Sequence, residues 1–342
     1  MSPYAPPLEG RDPDAYTLLD FNERTVPVSA PVKQALIDYI AQDRLQMYPS
    51  YGDIVPLLAA YAGIPSAQLM ITNGSDQGID LIFRAVAKPG FDAIIPAPSF
   101  AMYSQCAQIE NLHIIEPQYS RKSGYPLAEV LASISSKTAI IVVSNPNNPC
   151  GTRIDSDTLV QLSKAAPHAA LLVDECYFEY SGETLVPQLK ELNNVFITRT
   201  FSKTWGLPSL RFGYLISSAD NIRALSNIRG PYDINQLAIV AAKAALANIN
   251  DNKAYVDEVM NTAKPQLEAW LQERGIKCWP SSANFLWVFP NEPEALNDYF
   301  TSHGILVRPK HYQGIMGLRI TVGTQAQVTQ LTKVWEDYDA ID

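Results

Sequence analysis

In the run TRTFSKTWGLPSLRFGY, residues 198–214, one amine, Lys203, follows the hydroxyl of Ser202 and precedes the guanidinium of Arg211 by eight residues. The apolar VFI before it and FGYLI after it predict two short buried strands, which places Lys203 in the interior. A buried amine is costly unless it is paired, neutral or covalently used. Three more apolar runs end in polar residues: AIIVVSNPNNPCGT runs on to Asn148, ALLVDECYFEY carries Asp174 with Tyr177 three residues later, and LMITNGSDQGIDLI reaches Gly74, Ser75 and Asp76. The last opens a helix with apolar residues at Ile79, Ile82, Phe83 and Val86, and a Gly-Ser helix start offers free backbone N–H groups to an anion. Each feature alone also has a plain structural reading. Asn-Pro-Asn-Asn-Pro-Cys-Gly makes a turn, Asp174 caps a helix, Asn73 or Ser75 is an N-cap, Tyr177 is core, and Arg211 pairs with a surface acid.

The elements that must position these residues alternate. Between about 67 and 217, the runs LMIT, DAIIP, HIIE, AIIVVS, ALLVD, VFITR and FGYLIS predict seven strands, interleaved with helical patterns at 76–87, 100–108 and 156–165. Near-continuous apolar strands imply helices on both faces and a mostly parallel sheet, an α/β fold whose ligands bind beyond the carboxyl ends of the strands. After Gly230-Pro231 the pattern turns to long helices over 235–247 and 252–274, then to a smaller set of FLWVF, a helix near 294–303, ILVRP and LRITVG. The expected organisation is an N-terminal arm over 1–44 folding back on a small α+β C-terminal domain over 235–342, with a large domain over 45–234.

With 342 residues and 47% hydrophobic content, the chain can bury a sizeable core. A net charge of −9 argues against nucleic acid or a membrane surface as the partner. The four cysteines, 106, 150, 176 and 278, sit in or beside apolar runs without C-x-x-C spacing, as packing thiols do, and no metal site is expected. MSPYAPPLEGRDPDAY has neither a basic region nor an apolar core, and no run is long enough to span a bilayer, so a cytoplasmic location is the default.

Taken in order, Asn148-Pro-Cys-Gly151, Asp174-Glu-Cys-Tyr177 and Ser202-Lys203 with Arg211 resemble the fold-type-I pyridoxal-phosphate enzymes, and more narrowly the histidinol-phosphate aminotransferases. The likeness runs from LDFNERT at 19–25 through MYPSYGD and NGSDQGIDLI to GLRITVGT at 317–324, nearly the whole chain. Two positions depart from the family: Cys150 stands where Thr is usual, and Phe100, in APSFAMYS, where Tyr is common.

The resemblance implies pyridoxal 5′-phosphate bound covalently through its aldehyde by Lys203, which also serves as the general acid/base. It implies Asp174 on the pyridine nitrogen, Tyr177 and Asn148 on the phenolic oxygen, and Phe100 against the ring. The phosphate would take Gly74, Ser75, Asp76, Ser202 and Arg211, assisted by Thr200. On the substrate side it implies Arg319 on a carboxylate, Arg308 on a distal phosphate or carboxylate, and Asn22 nearby, with 2-oxoglutarate as amino acceptor. Tyr48, in MYPSYGD, would reach across a homodimer interface to the partner's cofactor phosphate. An aromatic or broad-specificity aminotransferase, or a threonine-phosphate decarboxylase, would carry the same cofactor residues with a different substrate shell. A dehydrogenase would need Gly-x-Gly-x-x-Gly and a phosphotransferase a Gly-rich loop ending in Gly-Lys-Ser/Thr; neither string occurs. Histidines 113, 168, 303 and 311 lie outside the matched motifs and have no catalytic task.

Overall fold

All seven apolar runs form strands of one sheet in the computed structural model, which describes residues 7–340; residues 1–6 of the expected N-terminal arm lie outside the described part. In chain order the strands are β1 (Thr17–Leu18), β2 (Leu69–Asn73), β3 (Asp92–Ile94), β4 (His113–Ile115), β5 (Thr138–Ser144), β6 (Ala170–Asp174), β7 (Val195–Thr200), β8 (Phe212–Ile216), β9 (Lys277–Cys278), β10 (Phe285–Phe289), β11 (Ile305–Leu306), β12 (Arg308–Tyr312) and β13 (Ile315–Thr321). The large sheet has the order β2-β8-β7-β6-β5-β3-β4. Its pairs are parallel except those of β8, which is antiparallel to both β2 and β7.

Every residue of β5 and β6 is buried, because each face carries a helical layer. Ile141, Val143, Leu171 and Val173 face one core with Leu159 and Leu162 of the helix Ser156–Ala165. Their neighbours Ile140, Val142 and Leu172 face the other, with Ile79, Ile82 and Phe83 of the helix Gly74–Val86. The period of two along each strand thus splits one apolar run between two cores. The helix Gln236–Ala247, which follows the expected boundary at 234, packs Ala238, Ile239, Ala241 and Ala242 into the first of these cores rather than beside the small sheet.

The smaller sheet, β12-β13-β10-β9, is antiparallel and covers a third core with Leu267, Leu271, Leu296 and Trp335. The helical tract expected over 252–274 is one rod with a flaw: Ile249–Glu258 and Lys264–Glu273 are joined through a π turn at Val259–Ala263. Pro265 has no N–H for the ladder, and the wider turn absorbs the missing bond. β1 pairs in parallel with β11, tying the N-terminal segment to the small unit. Among the described residues no helix is long and apolar enough to cross a membrane.

Candidate active site

Parallel pairing brings the ends of β5, β6 and β7 to one edge of the large sheet, and β2 ends at the same edge. Because β8 runs the other way, its first residue and the preceding Arg211 join them there. A cavity of about 540 Å³ opens at this edge, lined by Ser75, Asp76, Phe100, Asn148, Asp174, Tyr177, Thr200, Ser202, Lys203 and Arg211 of the predicted set. Leu8, Arg11, Phe21 and Glu23 close it from the N-terminal segment. A larger hollow of about 740 Å³, between Arg274, Lys277, Glu292 and Tyr338 in the small unit, holds none of these residues.

At the floor, the Asp174 carboxylate is 5% exposed and accepts hydrogen bonds from Tyr103 Oη at 2.5 Å and Thr198 Oγ1 at 2.9 Å. Burial pushes its pKa up, against the pull of these donors and of Cys176. No arginine or lysine is ion-paired to it among the described residues. Sequence reasoning missed both donors, since a tyrosine in the helix Ala101–Ile109 and a threonine inside β7 read as core.

Lys203 is half-buried, and its Nζ donates to the Phe21 carbonyl at 3.0 Å and lies 5.6 Å from the Tyr177 ring centre. Tyr177 Oη accepts from Asn22 Nδ2 at 3.1 Å and from Asn148 Nδ2 at 3.4 Å. Asn148 Oδ1 in turn accepts from Arg319 at 2.6 Å, and Arg319 also donates to the Asp20 carbonyl at 2.5 Å. One chain of hydrogen bonds therefore runs from the small sheet through Arg319, Asn148 and Tyr177 to Asn22. Asn22 sits in the left-handed region (φ 56°), which asparagine tolerates.

The third wall is a helix N-terminus. Gly74 (φ 68°) starts the helix with no side-chain cap: Asn73 donates instead to the Asp233 carbonyl, and Gln77 reaches back to the Asn73 N–H at 2.6 Å. The N-cap reading of Asn73 does not hold. Arg211, itself left-handed (φ 54°), donates to Asp76 at 2.8 Å and Ser202 Oγ at 3.4 Å, so guanidinium, hydroxyl and helix start form an anion cradle. Gly213 makes this approach possible. A Cβ there would lie 2.6 Å from the Gly74 carbonyl carbon and 2.7 Å from the Ser75 nitrogen, and nothing in the sequence singled it out.

Of the remaining predicted residues, Gly74, Asn22 and Arg319 join the site through the contacts above without lining the cavity, whereas Arg308 and Tyr48 lie apart. Arg308 stands over the Phe21 ring at 5.1 Å, where Arg11 also stands at 4.3 Å, at the border of the cavity rather than in its lining. Tyr48 is outside the cavity of its own chain, 78% exposed and stacked on Tyr232 at 4.5 Å.

A profile described as aminotransferase class I and II matches residues 16–334. A Geobacillus protein named histidinol-phosphate aminotransferase is 34% identical over 319 residues, covering 90% of this chain and 85% of its own. A Pseudomonas fluorescens protein, histidinol-phosphate aminotransferase 2, is 31% identical over 348 residues, covering 96% and 93%. Among solved structures, histidinol-phosphate aminotransferase from Sinorhizobium meliloti in complex with pyridoxal-5′-phosphate superposes with a TM-score of 0.84 at 23% identity, over 93% of this chain and 89% of that one, a likeness of fold.

Proposed function

The chain belongs to the class I and II aminotransferase family, and from that premise we propose that it is a pyridoxal-phosphate-dependent enzyme transferring the amino group of histidinol phosphate to 2-oxoglutarate. The observation that carries the reading is Asp174, a desolvated carboxylate without an ion-pair partner, in one cavity with the Lys203 amine and the Arg211 cradle. A cationic ring nitrogen would supply the counter-charge that Asp174 lacks, and the helix start, Ser202 and the Arg211 guanidinium, beside its Asp76 partner, offer donors to a phosphate, so the residues fit the cofactor.

When bound, pyridoxal phosphate supplies an aldehyde for the amino group and a conjugated pyridinium that withdraws electrons from the donor carbon. Lys203 would hold the aldehyde at rest, and its free amine would take the proton from the donor's α-carbon as general base and return it as acid. Asp174 would keep the ring nitrogen protonated, with Tyr103 and Thr198 holding the carboxylate in place. Tyr177 and Asn148 would hydrogen-bond the phenolic oxygen, and Phe100 would offer an apolar face to the ring. Gly74, Ser75, Asp76, Thr200, Ser202 and Arg211 would hold the phosphate. Arg319 presents its guanidinium to the substrate anion, steadied by Asn148, while Arg308 and Asn22 complete that side.

The active enzyme is a homodimer in this reading, with Tyr48 reaching the partner's cofactor phosphate. Eight of the eleven exposed large apolar side chains among the described residues lie in 37–57 and 228–232, joined by the Tyr48–Tyr232 stack; such a surface favours burial against a second copy. A cytoplasmic location fits a reaction whose substrates are soluble phosphates and carboxylates. The test is a donor screen with 2-oxoglutarate. Glutamate should form fastest from histidinol phosphate, ahead of the aromatic amino acids and threonine phosphate. Efficient turnover of phenylalanine with none of histidinol phosphate would move the reading to an aromatic aminotransferase.

A further inference from the structure

β12 and β13 place more charge beside the site than the two arginines. Arg308 lies opposite Arg319 and Lys310 opposite Gly317, so in this antiparallel ladder Arg308, Lys310 and Arg319 share one face. The same face carries Trp287 of β10, opposite Arg319, and Tyr312, two residues beyond Lys310, whose rings lie 6.3 Å apart. Gly317 leaves room between them; a Cβ there would stand 2.7 Å from Trp287 Nε1. Lys310 is half-buried on this face, and its amine has no hydrogen-bond or ion-pair partner among the described residues. Burial, then Arg319 and Arg308, push its pKa down to about 8. Of the acids around this face, Asp20 and Glu23 are already held by Arg11, at 2.8 and 2.5 Å, and Glu129 and Glu116 act on Tyr312 at its far end rather than on Lys310.

We propose that Lys310 is the third cation of a substrate-anion face, with Arg308 and Arg319, and that it selects donors bearing a phosphate dianion over those whose distal group is a single carboxylate or an uncharged ring. The face borders the reacting groups: Arg308 stands over Phe21, whose carbonyl accepts from Lys203, and Arg319 reaches Asn148. Two guanidiniums suffice for a carboxylate. A third cation without a counter-charge is a cost that only a more highly charged ligand offsets. This inference rests on the aminotransferase reading above, in which that border meets the substrate, but it does not require histidinol phosphate itself.

The test uses the cofactor-saturated enzyme with Lys310→Met and Lys310→Arg. Lys310→Met should lower the ratio of kcat/KM for histidinol phosphate over phenylalanine by about tenfold or more, the worth of one charge-assisted contact, and Lys310→Arg should recover most of it. In parallel, inorganic phosphate and acetate are measured as inhibitors of the half-reaction with glutamate. Lys310→Met should weaken phosphate about tenfold and acetate far less. An unchanged ratio with phosphate inhibition equal to the parent's would overturn the proposal, as would equal losses for phosphate and acetate. A parent that fails to use histidinol phosphate would sink the donor assignment alone; the phosphate inhibition series would still decide the role of Lys310.

Discussion

Asp174→Asn separates a catalytic charge from a structural cap. The substitution keeps the side chain's shape in a site that is 5% exposed; its single amide oxygen can accept from either Tyr103 or Thr198, which now bond different carboxylate oxygens at 2.5 and 2.9 Å, while the amide nitrogen donates to the other hydroxyl. Burial already disfavours the carboxylate here, so removing the charge should move the unfolding midpoint of the cofactor-free protein by only a few degrees. Catalysis should suffer far more. A charge-assisted hydrogen bond is worth about 1.5–3 kcal/mol, and two charges roughly 4 Å apart at an effective dielectric near 20 interact by about 4 kcal/mol. Taking about 3 kcal/mol as lost from the transition state, the half-reaction slows roughly 150-fold. The assay is single-turnover mixing with glutamate, alongside thermal melting of the cofactor-free form. An Asn variant that keeps more than half of the parent rate would refute the assignment, and one that unfolds would make Asp174 a structural residue first.

Tyr103→Phe removes the 2.5 Å donor to Asp174, so its carboxyl should rise further and the acid limb of the kcat/KM profile should move to higher pH; an unmoved limb would leave Tyr103 a packing residue. Gly213→Ala forces a Cβ to 2.6–2.8 Å from three backbone atoms, an overpacking cost of about 1–3 kcal/mol or more, and should lower both the unfolding midpoint and cofactor affinity, read by melting and by titration. With Lys310 depressed to about 8, its amine is charged below that pH and neutral above it, so affinity for a phosphate-bearing donor should fall as pH rises through about 8. Lys310→Arg should carry that affinity to higher pH; a parallel fall in the variant would place the titration on another group.

Much of this architecture was legible because burial on both faces leaves little ambiguity. Runs such as AIIVVS and ALLVD have no polar face to show, and their ends, Asn148 and Asp174, stand out by contrast. What stayed hidden depends on who packs against whom. The period of two in VRPK would have put Lys310 on the face of Arg308, yet only the pairing with β13 brings Arg319 to it. Tyr103 and Thr198 carry no local sign of a partner 71 and 24 residues away. The apolar pattern of Gln236–Ala247 says that it is buried but not in which core, and it went to the large sheet. Gly213 matters through the backbone it admits rather than through any chemistry of its own.

The central claim is that Lys203 carries the cofactor and the proton. Borohydride reduction of the purified enzyme, followed by digestion and mass spectrometry, should place the pyridoxyl group on the peptide that contains Lys203. Lys203→Ala should keep the fold by circular dichroism while losing turnover by several orders of magnitude. A pyridoxyl group fixed on any other lysine, or a Lys203→Ala enzyme that still transaminates at a substantial fraction of the parent rate, would contradict it.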